Sequence, residues 1–190
     1  EMKQSYIKEL DYELLNKKVA YKGKRITVEE LNYYNPRDHK TIYREHVLAG
    51  DAAIIMPVTE NEEVIMIQEP RTPVGKIVLA FPAGMIEEGE TPEEGAIREL
   101  EEETGYHAQN IKKLREVYPA IGYSNERTIL FLATNLVKTQ RHLDPTEDIK
   151  VLKIPLKEVK EMLDKNEIIT SNETVALMHY FNYERKEDKI

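Results

Sequence analysis

The sequence of 190 residues contains no cysteine and no long hydrophobic run. The absence of cysteine excludes disulfide bonds and thiolate metal ligands, and it favours a reducing compartment, so we expect a cytoplasmic protein. No segment approaches the roughly 20 apolar residues that a membrane span requires, and the charged amino-terminal sequence has no apolar core of a signal peptide. We therefore expect no membrane partner.

Positive charge is also scarce, since 27 Lys and Arg stand against 35 Asp and Glu and give a net charge of -8. A nucleic-acid backbone needs a basic surface, which argues against such a partner. The composition is 41% hydrophobic and 33% charged, without a low-complexity tract, and this is typical of a folded globular protein.

Strand and helix patterns divide the chain near residue 50. Residues 18 to 50 have the alternation and turn chemistry of short strands, so we predict a small β-rich amino-terminal segment over residues 1–48. Residues 49–190 contain several buried strands, including KIVLAFPAG, interleaved with helices. The pattern predicts an α/β protein in which helices cover a mixed sheet.

Helix-start signals occur twice. Thr91 and Glu94 have capping-box spacing, Pro92 suits the first helical position, and Gly105 is placed to end this helix. A second capping box is predicted from Thr170 to Glu173. The first helix should pack an apolar face on a sheet.

The first helix and the turn before it are unusually acidic, because nine glutamates occur between Glu87 and Glu103 with Arg98 as the single base. Glutamates three or four positions apart repel each other by a few tenths of a kcal/mol per pair. A glutamate-rich helix is usually a solvated face. Here, however, Glu99, Glu102 and Glu103 fall within an arc of roughly 100°, and oxygen ligands at this spacing suit Mg²⁺ or Mn²⁺.

The loop before the helix extends this prediction. Arg98 can reach back to Glu90 and hold the loop against the helix, while Gly84 and Gly89 permit tight turns. A main-chain carbonyl such as that of Ala83 could then also bind the metal. The five histidines show no paired metal-ligand spacing.

The order of these residues resembles the Nudix box, G-x5-E-x7-R-E-L-x-E-E-x-G. Its defined positions here are Gly84, Glu90, Arg98, Glu99, Leu100, Glu102, Glu103 and Gly105. Tyr106 occupies the final slot, which is usually bulky aliphatic. The resemblance to Nudix hydrolases implies an α/β/α sandwich around a mixed sheet, and metal-dependent hydrolysis of nucleoside diphosphates linked to another group.

The resemblance also implies roles for the box residues. Glu99 and Glu103 would bind the metal directly, and Glu102 would bind it directly or through water. Glu90 and Arg98 would support them.

Flanking residues 18 to 155 resemble the ADP-ribose pyrophosphatase branch, through YREHVLAGDAAIIMPV, IQEPR and FPAGMIEEGE. The resemblance implies a homodimer that exchanges amino-terminal strands. It places Arg71 at the diphosphate, Arg44 and the aromatic Tyr21 near the base, and Glu126 near the ribose or across the dimer.

A general base is implied in the acidic loop RHLDPTEDIKV, where Glu147 aligns best and Asp148 and Asp144 are alternatives. Ile121 stands where this branch usually has proline. We expect cleavage of ADP-ribose to AMP and ribose 5-phosphate. The alternatives are another nucleoside diphosphate sugar such as GDP-mannose, a dinucleotide, or a non-catalytic module that senses a nucleotide and regulates a partner.

Overall fold

A computed structural model describes residues 7–185 of the chain. The strands are β1 (Glu13–Lys22), β2 (Thr27–Asn35), β3 (Lys40–Leu48), β4 (Ala52–Pro57), β5 (Glu63–Arg71), β6 (Lys76–Ala80), β7 (Ala83–Met85), β8 (Tyr106–Val117), β9 (Thr128–Lys138) and β10 (Lys150–Pro155). The α-helices are α1 (Pro92–Thr104), α2 (Leu156–Asp164) and α3 (Ser171–His179). A short 3-10 turn follows β5, and a π-helical turn follows α3.

The chain forms two compact units. Among the described residues, the first comprises 7–49 and 120–126, and the second comprises 50–119 and 127–185. The short segment 120–126 joins the first unit through a bridge between Val47 and Ser124. The assignment of residues 1–48 to dimerisation stays a prediction.

The first unit is an antiparallel sheet in the order β1-β2-β3. Its central strand β2 buries Leu31 and Glu29, and the Glu29 carboxylate pairs with Lys17 of β1 at 3.0 Å. The edge strand β1 is exposed along its whole length. An exposed edge presents unpaired backbone groups to another chain.

The second unit contains two sheets, in the orders β10-β5-β6 and β7-β4-β9-β8. In the four-stranded sheet β4 runs parallel to β9, whereas β7 and β8 are antiparallel to their neighbours. The sheet is therefore mixed, as predicted. One of its two central strands, β4, is buried at every position.

Buried side chains alternate across β4 because successive residues of a strand point to opposite faces. Ala53 and Ile55 pack with Ala96 and Leu100 of α1. The opposite face buries apolar side chains that belong to one cluster with α2 and α3, namely Ile54, Met56, Leu130, Leu156, Val159, Ala176 and Leu177. Helices thus cover both faces, which confirms the predicted α/β/α sandwich and the apolar face of α1.

The segment KIVLAFPAG differs from its prediction as one strand. It forms β6, which pairs with β5, and then β7, which pairs with β4 in the other sheet. The change of partner occurs at Phe81 and Pro82; the proline has no N–H to donate, and its carbonyl accepts from the Ile55 N–H at 2.9 Å. This change of sheet brings β7 beside α1.

The predicted second capping box is wrong. Thr170 is the N-cap of α3 but makes no side-chain capping bond. Glu173 is buried, and its carboxylate accepts a hydrogen bond from the Phe81 N–H at 3.1 Å. Because Glu173 is buried beside the Phe81 N–H, its carboxylate bonds to that group and not to an N–H at the start of α3.

None of the helices within residues 7–185 combines the length and the apolar character needed to cross a membrane.

Candidate active site

Capping hydrogen bonds are present at both ends of helix α1. Thr91 accepts from the Glu94 N–H at 3.2 Å, and the Thr91 N–H donates to the Glu94 carboxylate at 2.8 Å. At the other end Gly105 is left-handed, with φ 73°, and its N–H donates to the Glu101 carbonyl at 2.8 Å. These bonds confirm the predicted capping box and fix the length of the acidic helix.

Arg98 ties the preceding loop to α1. Its Nε and Nη2 donate to the two carboxylate oxygens of Glu90 at 2.8 and 2.9 Å, and Nη2 also donates to the Met85 carbonyl at 3.0 Å. Nη1 donates to Glu99 at 2.7 Å and to Glu102 at 3.1 Å. These bonds raise the pKa of Arg98, with Glu90 contributing most, and the paired arginine lowers the pKa of Glu90.

Glu103 is the most buried carboxylate of the box, with 4% of its surface exposed. Its Oε2 accepts a hydrogen bond from the Ala83 N–H of β7 at 2.9 Å. Burial raises the pKa of Glu103 to about 8, while the Ala83 N–H opposes the rise and the nearby charges of Glu99, Glu69 and Glu147 add to it. A bound cation would stabilise the charged form that burial disfavours.

Glu99 lies against the backbone of Gly84. A Cβ atom at Gly84 would come within 2.0 Å of the Glu99 carboxylate, so a larger residue cannot occupy this position without displacing that carboxylate. Burial raises the pKa of Glu99, and Arg98 opposes this rise. The close approach of the Glu99 carboxylate therefore requires glycine at position 84.

The donor set fits a hard divalent cation because it offers carboxylate oxygens and backbone carbonyls. Within residues 7–185, however, no three acidic or histidine side chains are already arranged as a metal site. In the structure Arg98 binds Glu99 and Glu102, and the Ala83 N–H binds Glu103. Direct metal binding by Glu99, Glu102, Glu103 and the Ala83 carbonyl stays a prediction.

Glu69 is an acid of this region that the sequence did not indicate. It lies on β5 two residues before Arg71, so the two side chains share a face, and they form an ion pair. Burial raises the pKa of Glu69, Arg71 lowers it, and the charges of Glu173 and Glu147 raise it further. The signal available in the sequence was an acid and an arginine two positions apart at the end of an apolar run.

Glu147 lies in the loop between β9 and β10 and is exposed. Its negative charge adds to the raised pKa of Glu99 and of Glu103, in each case less than burial does. Its Oε2 accepts from the Asp144 N–H at 3.1 Å. The alternative Asp148 is exposed in the same loop.

The other predicted binding residues lie in the first unit. Tyr21 is exposed on β1 opposite Val28. Arg44 is exposed on β3 and donates to the Tyr43 carbonyl at 2.8 Å, while the Glu126 N–H donates to Ser124 Oγ at 3.1 Å. Roles for Tyr21, Arg44 and Glu126 in substrate binding stay predictions.

Comparison with protein families matches a NUDIX domain to residues 49–175. The chain belongs to the Nudix family. The matched residues include the whole of α1 and the loop before it, so the predicted recognition of the box is confirmed.

Two relatives with different names are similar to this chain over most of its length. The chain is similar to an ADP-ribose pyrophosphatase of Bacillus subtilis (strain 168), with 31% identity over 91% of this chain and 94% of that protein. It is also 28% identical to a methanol dehydrogenase activator of Bacillus methanolicus, over 82% of this chain and 83% of that protein. The family and the relative named ADP-ribose pyrophosphatase confirm the prediction that this Nudix protein is a hydrolase of phosphoanhydride bonds.

A solved structure gives the fold independently. The crystal structure of an ADP compounds hydrolase superposes with a TM-score of 0.82, covering 93% of this chain and 96% of that chain at 23% sequence identity. The likeness in fold therefore covers nearly the whole protein.

Proposed function

We propose that this Nudix protein is a pyrophosphohydrolase, dependent on Mg²⁺ or Mn²⁺, that cleaves ADP-ribose to AMP and ribose 5-phosphate. The observation that carries the proposal is the pair Glu99 and Glu103, one turn apart on α1 and both largely withdrawn from water. The choice of ADP-ribose is supported by the relative named ADP-ribose pyrophosphatase.

Glu99 and Glu103 would hold the metal, with Glu102 and the Ala83 carbonyl as further ligands. When bound, the metal supplies positive charge that neutralises the diphosphate and makes a water more acidic for attack at phosphorus. Because the interior around Glu103 has a low dielectric constant, these electrostatic interactions are stronger there than at the surface.

Other side chains would bind the substrate and accept a proton. The Arg71 guanidinium would bind the diphosphate, since its planar fork matches phosphate oxygens. Glu147 would accept the proton of the attacking water as the bond between phosphorus and the bridging oxygen breaks. Arg44, Tyr21 and Glu126 would contact the adenosine part of the substrate.

We also propose a homodimer formed through the amino-terminal strands. Its support is the exposed strand β1, which carries Leu14, Leu15, Val19 and Tyr21 with half or more of their surface accessible. A dimer would cover these apolar side chains and pair the free edge.

Two alternatives have specific support. Ile121, where the ADP-ribose branch usually has proline, favours another nucleoside diphosphate sugar such as GDP-mannose, or a dinucleotide. The relative named a methanol dehydrogenase activator supports the regulatory part of the other alternative, a module that senses a nucleotide and regulates a partner protein.

A substrate panel with Mg²⁺ and Mn²⁺ tests all three functions. We expect metal-dependent release of AMP and ribose 5-phosphate from ADP-ribose, with kcat/KM above that for GDP-mannose or a dinucleotide. Glu103→Gln should lower kcat by at least about 100-fold while its circular dichroism stays unchanged, because removing a ligand costs more than removing one of its supports.

Other outcomes of the panel would change the assignment. A tenfold higher kcat/KM for another substrate would reject ADP-ribose and keep the hydrolase. Tight nucleotide binding without metal-dependent hydrolysis would reject catalysis and favour the regulatory module.

A further inference from the structure

The loop of residues 139–149 between β9 and β10 carries Glu147 and has no regular secondary structure apart from a turn. Such a loop can place a general base accurately only if hydrogen bonds or packing restrict its conformations.

Backbone hydrogen bonds attach the beginning of the loop to the carboxyl end of α1. The Thr139 N–H donates to the Gly105 carbonyl at 2.8 Å, and the His142 N–H donates to the Glu102 carbonyl at 3.1 Å. The last carbonyls of a helix have no partner within it, which makes them available to the loop. The loop is thereby fixed to the helix that presents the carboxylates.

Arg141 joins both ends of the loop to the same helix end. Its Nε donates to the Glu103 carbonyl at 2.5 Å, and its Nη2 donates to the Ile149 carbonyl at 2.7 Å. A single half-buried guanidinium thus connects the backbone of a proposed metal ligand with the last residue of the loop. A positive group at a helix carboxyl end is also favourable to the helix dipole.

The tip of the loop is held by bonds within it. Asp144 accepts from the Thr146 N–H at 2.8 Å, and its own N–H donates to the Glu147 carboxylate at 3.1 Å. The Glu147 N–H donates to the Asp144 carbonyl at 2.9 Å. The turn is therefore compact, and it lies between Arg141 and Ile149, the two loop residues that the guanidinium connects.

We propose that Arg141 is a positioning residue, which holds the loop 139–149 against the end of α1 so that Glu147 faces the carboxylates of Glu99 and Glu103. This inference rests on the proposed function, in which Glu147 is the general base. Apolar packing of Ile149 with Ile67 and Ala80 attaches the loop to β5 and β6. Among the described side chains, Arg141 alone bonds both to a backbone carbonyl of the loop and to a backbone carbonyl of α1.

The test compares Arg141→Met and Arg141→Lys with Arg115→Met in the full-length protein. Arg115 is exposed and bonds His179, so its loss controls for removing an arginine from the same unit. We expect Arg141→Met to lower kcat at least about tenfold with KM changed less than threefold, because small displacements of a catalytic group are costly. Arg141→Lys should recover part of kcat, and Arg115→Met should match the wild type.

A double-mutant cycle with Glu147→Gln separates positioning from general destabilisation. If Arg141 acts through Glu147, the double variant Arg141→Met/Glu147→Gln is no slower than Glu147→Gln alone. Independent, multiplicative losses would overturn the proposal, as would a wild-type kcat in Arg141→Met or in Glu147→Gln.

Hydrogen exchange of peptides covering 139–149 gives a readout that needs no substrate. Faster exchange in Arg141→Met than in the wild type and Arg115→Met supports the proposal, and unchanged exchange overturns it. If the wild type hydrolyses no member of the substrate panel, the proposed function fails, and this exchange measurement alone decides whether Arg141 holds the loop.

Discussion

The Arg98 guanidinium contacts the Glu99 carboxylate, with 2.7 Å between Nη1 and Oε1. The same nitrogen also reaches Glu102, so one fixed positive charge lies among the acids that would bind a metal. A divalent ion at Glu99 must therefore compete with a side chain of the protein.

We predict that Arg98→Gln destabilises the metal-free protein by about 1–3 kcal/mol, since it leaves partly buried carboxylates without their charged donor. Added Mg²⁺ should recover part of this loss because the ion supplies the missing positive charge. Urea unfolding in EDTA and in Mg²⁺ measures both effects, with Arg115→Gln as control. An equal loss of stability in the two buffers would contradict the prediction.

Glu103→Gln should change the pH dependence of stability in the metal-free protein. The pKa of Glu103 rises from 4.5 to about 8 in the folded state, so the folded protein binds this proton more tightly than the unfolded chain. The contribution of Glu103 to the free energy of unfolding therefore decreases as pH rises from 4.5 through about 8. Glutamine does not titrate.

The variant should consequently gain stability relative to the wild type over that window, by on the order of 1–3 kcal/mol. Urea unfolding in EDTA at several pH values measures the difference. Glu93→Gln, at an exposed position of the same helix, is the matched control. A difference between variant and wild type that stays constant with pH would refute the effect.

Gly84→Ala should lower activity at least about tenfold, because the added methyl group collides with the Glu99 carboxylate that Arg98 holds in place. Gly50→Ala is an informative control. Its Cβ would lie 2.6 Å from Cε of Met85, which is the end of a flexible, partly exposed side chain that can move aside. Steady-state kinetics of both variants test the idea, and equal kcat values would reject it.

The proposed dimer predicts that Val19→Glu on β1 reduces the mass measured by light scattering from that of two chains toward that of one. The glutamate would be placed in an apolar contact without a partner. Val74→Glu, at an exposed position of the second unit, should leave the mass unchanged. A wild-type protein with the mass of one chain would reject the proposal directly.

Local signals in the sequence predicted α1 well. The capping box at Thr91, the apolar positions Ala96 and Leu100, and the reach of Arg98 to Glu90 all depend on residues within one or two helical turns or an adjacent loop. Such interactions follow from helix geometry, which sequence spacing determines.

Interactions between distant segments could not be predicted in this way. Glu173 does not form the predicted capping box. It accepts a hydrogen bond from the Phe81 N–H, 92 positions away, because the packing of α3 buries it there. Arg141 likewise bonds Glu103 across 38 positions. No pattern within a short window indicates such partners, since they depend on which sheet each strand joins.

Hydrogen bonds cap both ends of α1, and this determines how the protein would respond to removal of a bound ion. The capping bonds at Thr91 and Gly105 and the bond from Arg98 to Glu90 all join groups of the protein to one another, so none of them requires an ion. A chelator should therefore switch off turnover while leaving the molecule folded. Reactivation would then proceed at the speed of ion binding, with no refolding step to delay it.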